Sequence, residues 1–401
     1  MGWFHLVARS LDELMNKLEI KNTLLLGSIF GLRMFGLFMV LPIFSLLAIH
    51  IPHSNPTLIG IALGIYGLTQ ALFQLPFGIW SDFIPRKQVI IFGLIIFIIG
   101  SIIAAVSNNI YLLILGRALQ GMGAIGSAVI ALLGDLVRSE YRTPAVAIMG
   151  ITIGISFVLA VMLGPLLAHH LGLKGMFWLT AILATMSFIL VSVFLPSIQP
   201  TAENFSWQKL KAQLLTVLFH RDLMLFNFSI FMAHALLTAT FFALPNLLWF
   251  HYGIPLNQQW KAYAILFLLA ILFIGKKMRQ KNFRQEEKNW VKINVFLLWI
   301  AQIFLFLSVF KFSYSLIILY IGLYLFLQSF TFLEALLPSL VSKTISMDLR
   351  GSATGLFSTC QFLGIFAGGL WSGVLVSHFH LSGLFLANIL LGLLWLLVML
   401  T

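Results

Sequence analysis

Glu334 is the only carboxylate set well inside a long apolar stretch of this sequence, within SFTFLEALLPSL. A charged acid at the centre of a helix in a membrane costs about 2.5–3.5 kcal/mol, less toward either end. An acid kept there is a candidate for binding and releasing protons. The alternative is a neutral or paired structural acid near the helix end. Asp135, at the edge of an earlier apolar stretch, is the rival proton-binding group. Arg33 and Arg117 are the bases inside apolar stretches. A guanidinium keeps its charge, so each needs a hydrated cavity or backbone carbonyls. Arg117 reads equally well as packing or as proton coupling, and Arg33 also as a side chain reaching back to the interface.

A second set of charges sits in the short polar turn Ser81-Asp82-Phe83-Ile84-Pro85-Arg86-Lys87, between two apolar stretches of bilayer length. So tight a turn forces a helical hairpin with an acid and two bases at one membrane surface. Asp82 is placed to meet the exposed amides where a later helix begins, at Gly351-Ser352-Ala353. One such contact is worth about 0.3–2 kcal/mol, whereas swinging a two-state equilibrium from 1:99 to 99:1 takes about 5.5 kcal/mol. Arg86, Asp135, Arg138 and Arg142 are therefore candidate partners in a switch. The plain alternative for Lys87 and Arg138 is that they only set topology.

Tyr66, Gln70 and Gln74 recur every four residues, a polar stripe on an apolar helix that should face a cavity. Gln120, Asn227, His234, Asn246, Tyr263, Gln328 and Gln361 are further candidates to line it. Each reads equally well as a hydrogen bond between helices. The chain's 38 Phe residues mean that aromatic rings line any cavity by default. An apolar, weakly polar pocket suits lipophilic or cationic compounds.

The elements that must position these residues follow from composition. At 401 residues, 60% hydrophobic and 9% charged, the chain has too little polar surface to cover itself in water. It reads as an all-α polytopic membrane protein. Apolar spans fall at approximately 24–49, 57–80, 88–106, 110–134, 143–168 and 175–195, then at 223–250, 262–275, 293–309, 313–341, 351–375 and 380–401. Residues 1–22 read as an amphipathic interfacial helix through Trp3, Phe4, Val7, Leu11, Leu14, Met15 and Leu18, not as a signal peptide. Two six-helix bundles, 23–196 and 223–401, are then joined by a linker at 197–222.

With a cytoplasmic amino terminus, nineteen Lys and Arg fall on the cytoplasmic side and three outside, Lys174, Lys261 and Lys311. This satisfies the positive-inside rule with both termini cytoplasmic. The net charge of +12 thus points to anionic lipid, not nucleic acid. The single Cys360 precludes an intrachain disulfide. His50 with His53 and His169 with His170 read as interfacial, so no metal is expected. Neither a phosphate-binding loop nor HExxH occurs. No cofactor and no enzymatic activity are expected.

The hairpin turn Gly78-Ile-Trp-Ser-Asp82-Phe-Ile-Pro-Arg86-Lys87 resembles the loop signature between the second and third helices of the major facilitator superfamily. It departs at Phe83, where a base is usual, and at Pro85, where glycine is usual. Arg117-Ala-Leu-Gln120-Gly121-Met-Gly123 resembles the fourth-helix signature of that superfamily. Gly154 through Gly164-Pro165 resembles the fifth-helix signature of its drug/proton antiporters, without the paired glycines usually found just beyond. Longer stretches, such as LGRALQGMGAIGSAVIALLGDL, are similar to the YajR branch of bacterial drug/proton antiporters. Some members of that branch add a soluble carboxyl-terminal domain; this chain ends at Thr401 in apolar sequence.

The resemblance implies twelve transmembrane helices in two pseudo-symmetric bundles, an inner-membrane location, and proton-driven export of a small molecule by alternating access. The expected assembly is a monomer. With the residue reading above, Glu334, Asp135, Arg117 and Arg33 are the candidates for proton coupling, and Gly78, Asp82, Arg86, Lys87, Arg138, Arg142 and Gly351 those for the switch. A proton symporter importing a nutrient fits the same scaffold, and a membrane sensor or scaffold that transports nothing is a third reading.

Overall fold

The computed structural model describes residues 15–199, 206–280, 283, 286–310, 312–346 and 349–400. Among these residues the regular structure is entirely helical, and it forms twelve spans in two groups of six. The first six are Lys17–Phe38, Pro56–Phe83, Arg86–Val106, a fourth in two pieces (Ile110–Met122 and Gly126–Leu136), and a fifth and sixth within Arg142–Phe194. The second six are Arg221–Asn246, Leu256–Met278, Glu287–Leu307, Ser315–Thr344, and an eleventh and twelfth within Arg350–Leu400. At 53 and 51 residues, the two long runs far exceed one bilayer crossing of about 20 residues. Each is broken once, at Gly172 (φ 62°) and at His380 (φ 56°). At Gly172 glycine meets the left-handed backbone without steric cost.

Local sequence explains the helix starts. Asn16 and Glu19 form a reciprocal capping box ahead of Lys17. Asn55 caps the second span, with Pro56 as its first helical residue, and Asn109 caps the fourth. The capping box moves one expected boundary: the helix of the first span starts inside the 1–22 stretch assigned to an interfacial helix, its polar first turn lying ahead of the apolar part. Trp3, Phe4, Val7, Leu11 and Leu14 lie outside the described residues. The eighth span is longer than the expected 262–275, because Leu256–Lys261 continues its helix at one end and Lys276–Met278 at the other. Part of the linker at 197–222 is a helix, Trp207–Leu218. Ser352 Oγ at the start of the eleventh span donates to Gln213 Oε1 of that helix.

Arg86, Asp135, Arg138 and Lys343 share one end of the bundle, called here the basic end. Asn55, Asn109 and Leu256 mark the opposite end. The two groups of six meet most closely along the second and eleventh spans. Gly60 and Gly64 face Gly369 and Gly373, so that a methyl group built on Gly369 would lie 2.7 Å from the Gly60 carbonyl oxygen and 2.9 Å from Gly64 Cα. On its other face the eleventh span sets Gly364 and Gly368 against the backbone at Phe231 and Ala235 of the seventh. Two glycine pairs, each spaced by four residues, let one helix lie flush against two others, the usual packing device where no hydrophobic force drives association. Toward the opposite end the halves also share polar contacts. Ser45 Oγ donates to Phe242 O (2.6 Å) and accepts from Asn246 Nδ2 (2.9 Å), and Thr57 Oγ1 donates to Ser377 Oγ (3.3 Å).

Candidate functional site

Glu334 lies on the tenth span, ten residues from its end at Thr344, where the two halves face each other. Gln361 of the eleventh span donates from Nε2 to Glu334 Oε1 at 3.2 Å and stands 2.9 Å from His234 Nε2 of the seventh. His234 Nδ1 lies 3.2 Å from the Ile230 carbonyl oxygen, one turn back on its own helix. A carbonyl only accepts, so this contact puts a hydrogen on Nδ1 and leaves the lone pair on Nε2. That lone pair faces Glu334 Oε2 at 3.6 Å. Oε2 is itself buried and has no hydrogen-bond partner, although the Glu334 side chain as a whole is 36% exposed. Two acceptors facing each other become complementary when one of them carries a proton. Three spans thus bring an acid, an imidazole and an amide into one polar cluster.

An aromatic layer closes this centre on the side away from the basic end. Phe330, one turn from Glu334 in that direction, meets the His234 ring edge-on at 5.2 Å. It also stands 5.6 Å from Phe157 of the fifth span. Phe157 packs edge-on against Phe38 (5.0 Å) in its own half and against Phe267 (6.0 Å) of the eighth span across the seam. Phe157, Phe267 and Phe330 are all buried. Sequence reasoning did not find these rings, since in a chain with 38 Phe residues no single one stands out.

The other expected site residues are distributed differently. Tyr66, Gln70 and Gln74 are buried inside the first six helices, where Tyr66 and Gln70 meet the two intramembrane arginines. Arg33 Nη2 donates to Gly123 O (2.8 Å) and to Gln70 Oε1 (3.4 Å), and its guanidinium lies over Phe97. Arg117 donates to Ala62 O, Leu63 O and Gln120 Oε1, and its guanidinium lies 4.3 Å from the centre of the Tyr66 ring. Gln120 passes the chain on to Ser101 Oγ. Helical period told which residues share a face but not that two buried cations would claim that face. Both arginines are fully buried, so Arg33 does not reach back to an interface. In the second half, Gln328 bonds Asn294 within its own bundle, Asn246 belongs to the contact with Ser45, and Asn227 and Tyr263 are buried in the core.

The hairpin charges also resolve into separate contacts. The second span runs on through Asp82 and Phe83, so only Ile84 and Pro85 lie between helices, and Pro85 sets the entry to the third span with φ −52°. Arg86 pairs with Asp135 and donates to Ala131 O, which engages the acid read as the rival proton site. Lys87 caps the end of the sixth span through Ser192 O and Leu195 O. Arg138 grips Glu19 through Nε and Nη2 at 2.8 and 3.0 Å. The Arg138 guanidinium holds the Glu19 carboxyl down at about 2. Gly78 packs on Ser127, Arg142 lies beside Gly134, and Gly351 opens the eleventh span with no neighbour at the position of a side chain.

Residues 26–369 match the sequence model of the Major Facilitator Superfamily. The chain belongs to that superfamily. It is 41% identical over 387 residues to the Escherichia coli inner membrane transport protein YajR, covering 96% of this chain and 84% of that one. It is 37% identical to the uncharacterized transporter BU466 of Buchnera aphidicola, covering 88% of this chain and 90% of that one. The crystal structure of the D-xylose-proton symporter superposes with a TM-score of 0.73 at 16% identity, covering 95% of this chain and 96% of that one. The crystal structure of the nucleoside transporter NupG superposes with a TM-score of 0.71 at 16% identity, covering 96% of this chain and 98% of that one. At such low identity these two likenesses concern the fold alone. The twelve-helix architecture and the likeness to the YajR branch both agree with the sequence reading, and the protein is a membrane transporter of this fold.

Proposed function

We propose that the protein is a proton-coupled secondary transporter that exports small, largely apolar molecules by alternating access. The observation that carries this reading is the unpartnered Glu334 Oε2 facing His234 Nε2 at the seam between halves. With the basic end in the cytoplasm, which the distribution of Lys and Arg supports, the aromatic layer on the far side of Glu334 supports an inward-facing form. A proton on Glu334 Oε2 turns one of the two opposed acceptors into a donor, which competes with Gln361 for His234 Nε2 and draws the tenth span toward the seventh. Loss of that proton restores the repulsion between the two acceptors. The apolar surroundings, with Phe330 and Phe157 beside the acid, favour a lipophilic substrate.

Proton and substrate would thus compete for one space at the seam, which is the requirement for exchange. The driving force is the proton gradient, the working unit a monomer, and the location the bacterial inner membrane with both termini cytoplasmic. The latch expected of Asp82 contributes here as one of several weak contacts, alongside the Arg86 to Asp135 pair. Reconstituted protein is to be tested in liposomes under an imposed pH gradient with a lipophilic fluorescent substrate. Export driven by the gradient in the wild type and uncoupled in Glu334→Gln supports the reading. Unchanged coupling in that variant removes Glu334 from it.

A further inference from the structure

The fourth span is interrupted in mid-membrane. Its helix stops at Met122 and restarts at Gly126, and the three intervening residues form tight turns, Ala124 N to Met122 O and Ile125 N to Gly123 O. The restarted piece, Gly126–Leu136, is 11 residues long. Its first backbone hydrogen bond runs from Val129 N to Ile125 O. Among the described residues, the amides of Gly126, Ser127 and Ala128 therefore have no acceptor, as at any helix start. Three N–H groups and the positive end of a helix dipole are thus exposed inside the protein, away from water.

Arg33 stands at the same place. Its Nη2 holds the Gly123 carbonyl just before the restart, yet its Nε and Nη1 are buried and bonded to nothing. The Arg33 side chain is completely inaccessible to solvent. Leaving buried donors unsatisfied costs about 1–3 kcal/mol each, and more on a charged group. Every acceptor that Arg33 and Arg117 do reach is neutral: backbone carbonyls and the amides of Gln70 and Gln120. Phe97 covers one face of the Arg33 guanidinium. Around the restart, a carbon built on Gly126 would lie at ordinary contact distance, 3.4 Å from Gln74 Nε2 and 3.5 Å from Phe30 Cζ, which places the Gln74 amide beside the start of the helix.

We propose that Arg33 and the start of the Gly126–Leu136 helix form a buried site for a small monovalent anion, with Gln74 closing one side. The shared chemistry is one negative charge with in-plane acceptors, supplied either by a free halide or by the carboxylate of an organic solute. Discontinuous membrane helices direct their amino termini at anionic groups for the same electrostatic reason. The site belongs to the first six helices alone and owes nothing to the proton reading of Glu334. An anion there would neutralise one of the two buried cations that have no acid against them. It would also fix the interruption of the fourth span.

Purified full-length protein in detergent is to be titrated separately with sodium bromide, sodium acetate and sodium benzoate, with ionic strength held by sodium sulfate. The melting temperature should rise by about 1–3 °C and saturate with at least one of the three. A rise with bromide alone identifies the halide, confirmed by an anomalous bromide peak beside Arg33. A rise with acetate or benzoate but not bromide identifies the carboxylate. Gln74→Glu sets a fixed carboxylate one turn from the Arg33 contact and should fold while losing the response. No rise with any of the three, or an equal rise in Gln74→Glu, overturns the site. Because no gradient or transport is involved, failure here leaves the test of Glu334 standing.

Discussion

Glu334 Oε2 and His234 Nε2 face each other at 3.6 Å with no hydrogen between them, the acid on the tenth span and the ring on the seventh. Gln361 touches both and donates to each from the same nitrogen. The three form one unit, so their substitutions should not add. Glu334→Gln should abolish proton-driven movement while leaving exchange of substrate across the membrane intact. Gln361→Ala should weaken coupling less, since the acid and the ring remain opposed. His234→Ala combined with Glu334→Gln should match Glu334→Gln alone. Transport assays in liposomes with and without a pH gradient separate these outcomes, and a double variant markedly worse than the single would show that the two residues act independently.

Phe157 seals the acid from the end opposite the basic one by packing on Phe38 in its own half and on Phe267 and Phe330 across the seam. Two of these three contacts must part when the halves separate there. Phe157→Ala removes the ring common to all three and opens a path of methyl-sized gaps. Replacing a well-packed phenylalanine by alanine costs about 3–5 kcal/mol where the site cannot collapse. Here the expected result is a proton leak: liposomes holding the variant should dissipate a pH gradient faster than wild type without substrate. Phe157→Leu, which keeps most of the volume, should restore tightness. A leak equal in both variants would place the seal elsewhere.

Glu19, in the polar turn ahead of the first apolar stretch, and Arg138 tie the first helix to the end of the fourth at the basic face. Glu19 is held at about 2, below its usual 4.5, chiefly by its hydrogen bond from the Arg138 side chain. A depressed carboxyl contributes stability in full above the unfolded value, and that contribution is lost as pH falls toward the folded one. The difference in melting temperature between wild type and Glu19→Gln should therefore be constant from neutral pH to about 5. It should shrink between 4.5 and 2. Scanning fluorimetry in detergent across that range measures it. A difference that grows on acidification would contradict the assignment.

Much of this architecture is visible in the chain itself, because each apolar run is bounded by charges or by turn residues, and a bilayer leaves helices few other arrangements. Glu334 also stood out, since an acid in such company is rare. His234 and Gln361 read as cavity candidates, but their pairing with Glu334 was not legible: His234 is distant in sequence, and nothing local marks which face of the seventh span meets the tenth. The stripe of Tyr66, Gln70 and Gln74 shows the same limit from the other side. Its spacing was read correctly as one face, but the neighbour on that face is set by Arg33 and Arg117, which arrive from other helices. The interruption of the fourth span had a signal, Gly121, Gly123 and Gly126 within six residues, which a count of apolar residues smooths over.

Gly60 and Gly369 set how closely the second and eleventh spans approach. A methyl group on Gly369 would meet the Gly60 carbonyl oxygen at 2.7 Å and Gly64 Cα at 2.9 Å; one on Gly60 would meet Gly373 Cα at 2.8 Å. All of these are backbone atoms, which cannot swing aside as the end of a flexible side chain can. Gly369→Ala must therefore part the two helices, and Gly60→Ala must do so from the other side. Small residues serve this role in lipid because packing alone holds the helices together. The contact lies toward the end opposite the basic one, where Thr57 also bonds Ser377. Widening it should shift the population toward a form open at that end. Spin labels placed at Asn55 and His378, near the ends of the two helices, should report a longer mean distance in either variant than in wild type. Accessibility of Cys360 to a reagent added from the basic side should fall in parallel if opening one end closes the other. An unchanged distance distribution would mean that the halves are not held by this seam, and that Ser45 and Asn246 carry the closure instead.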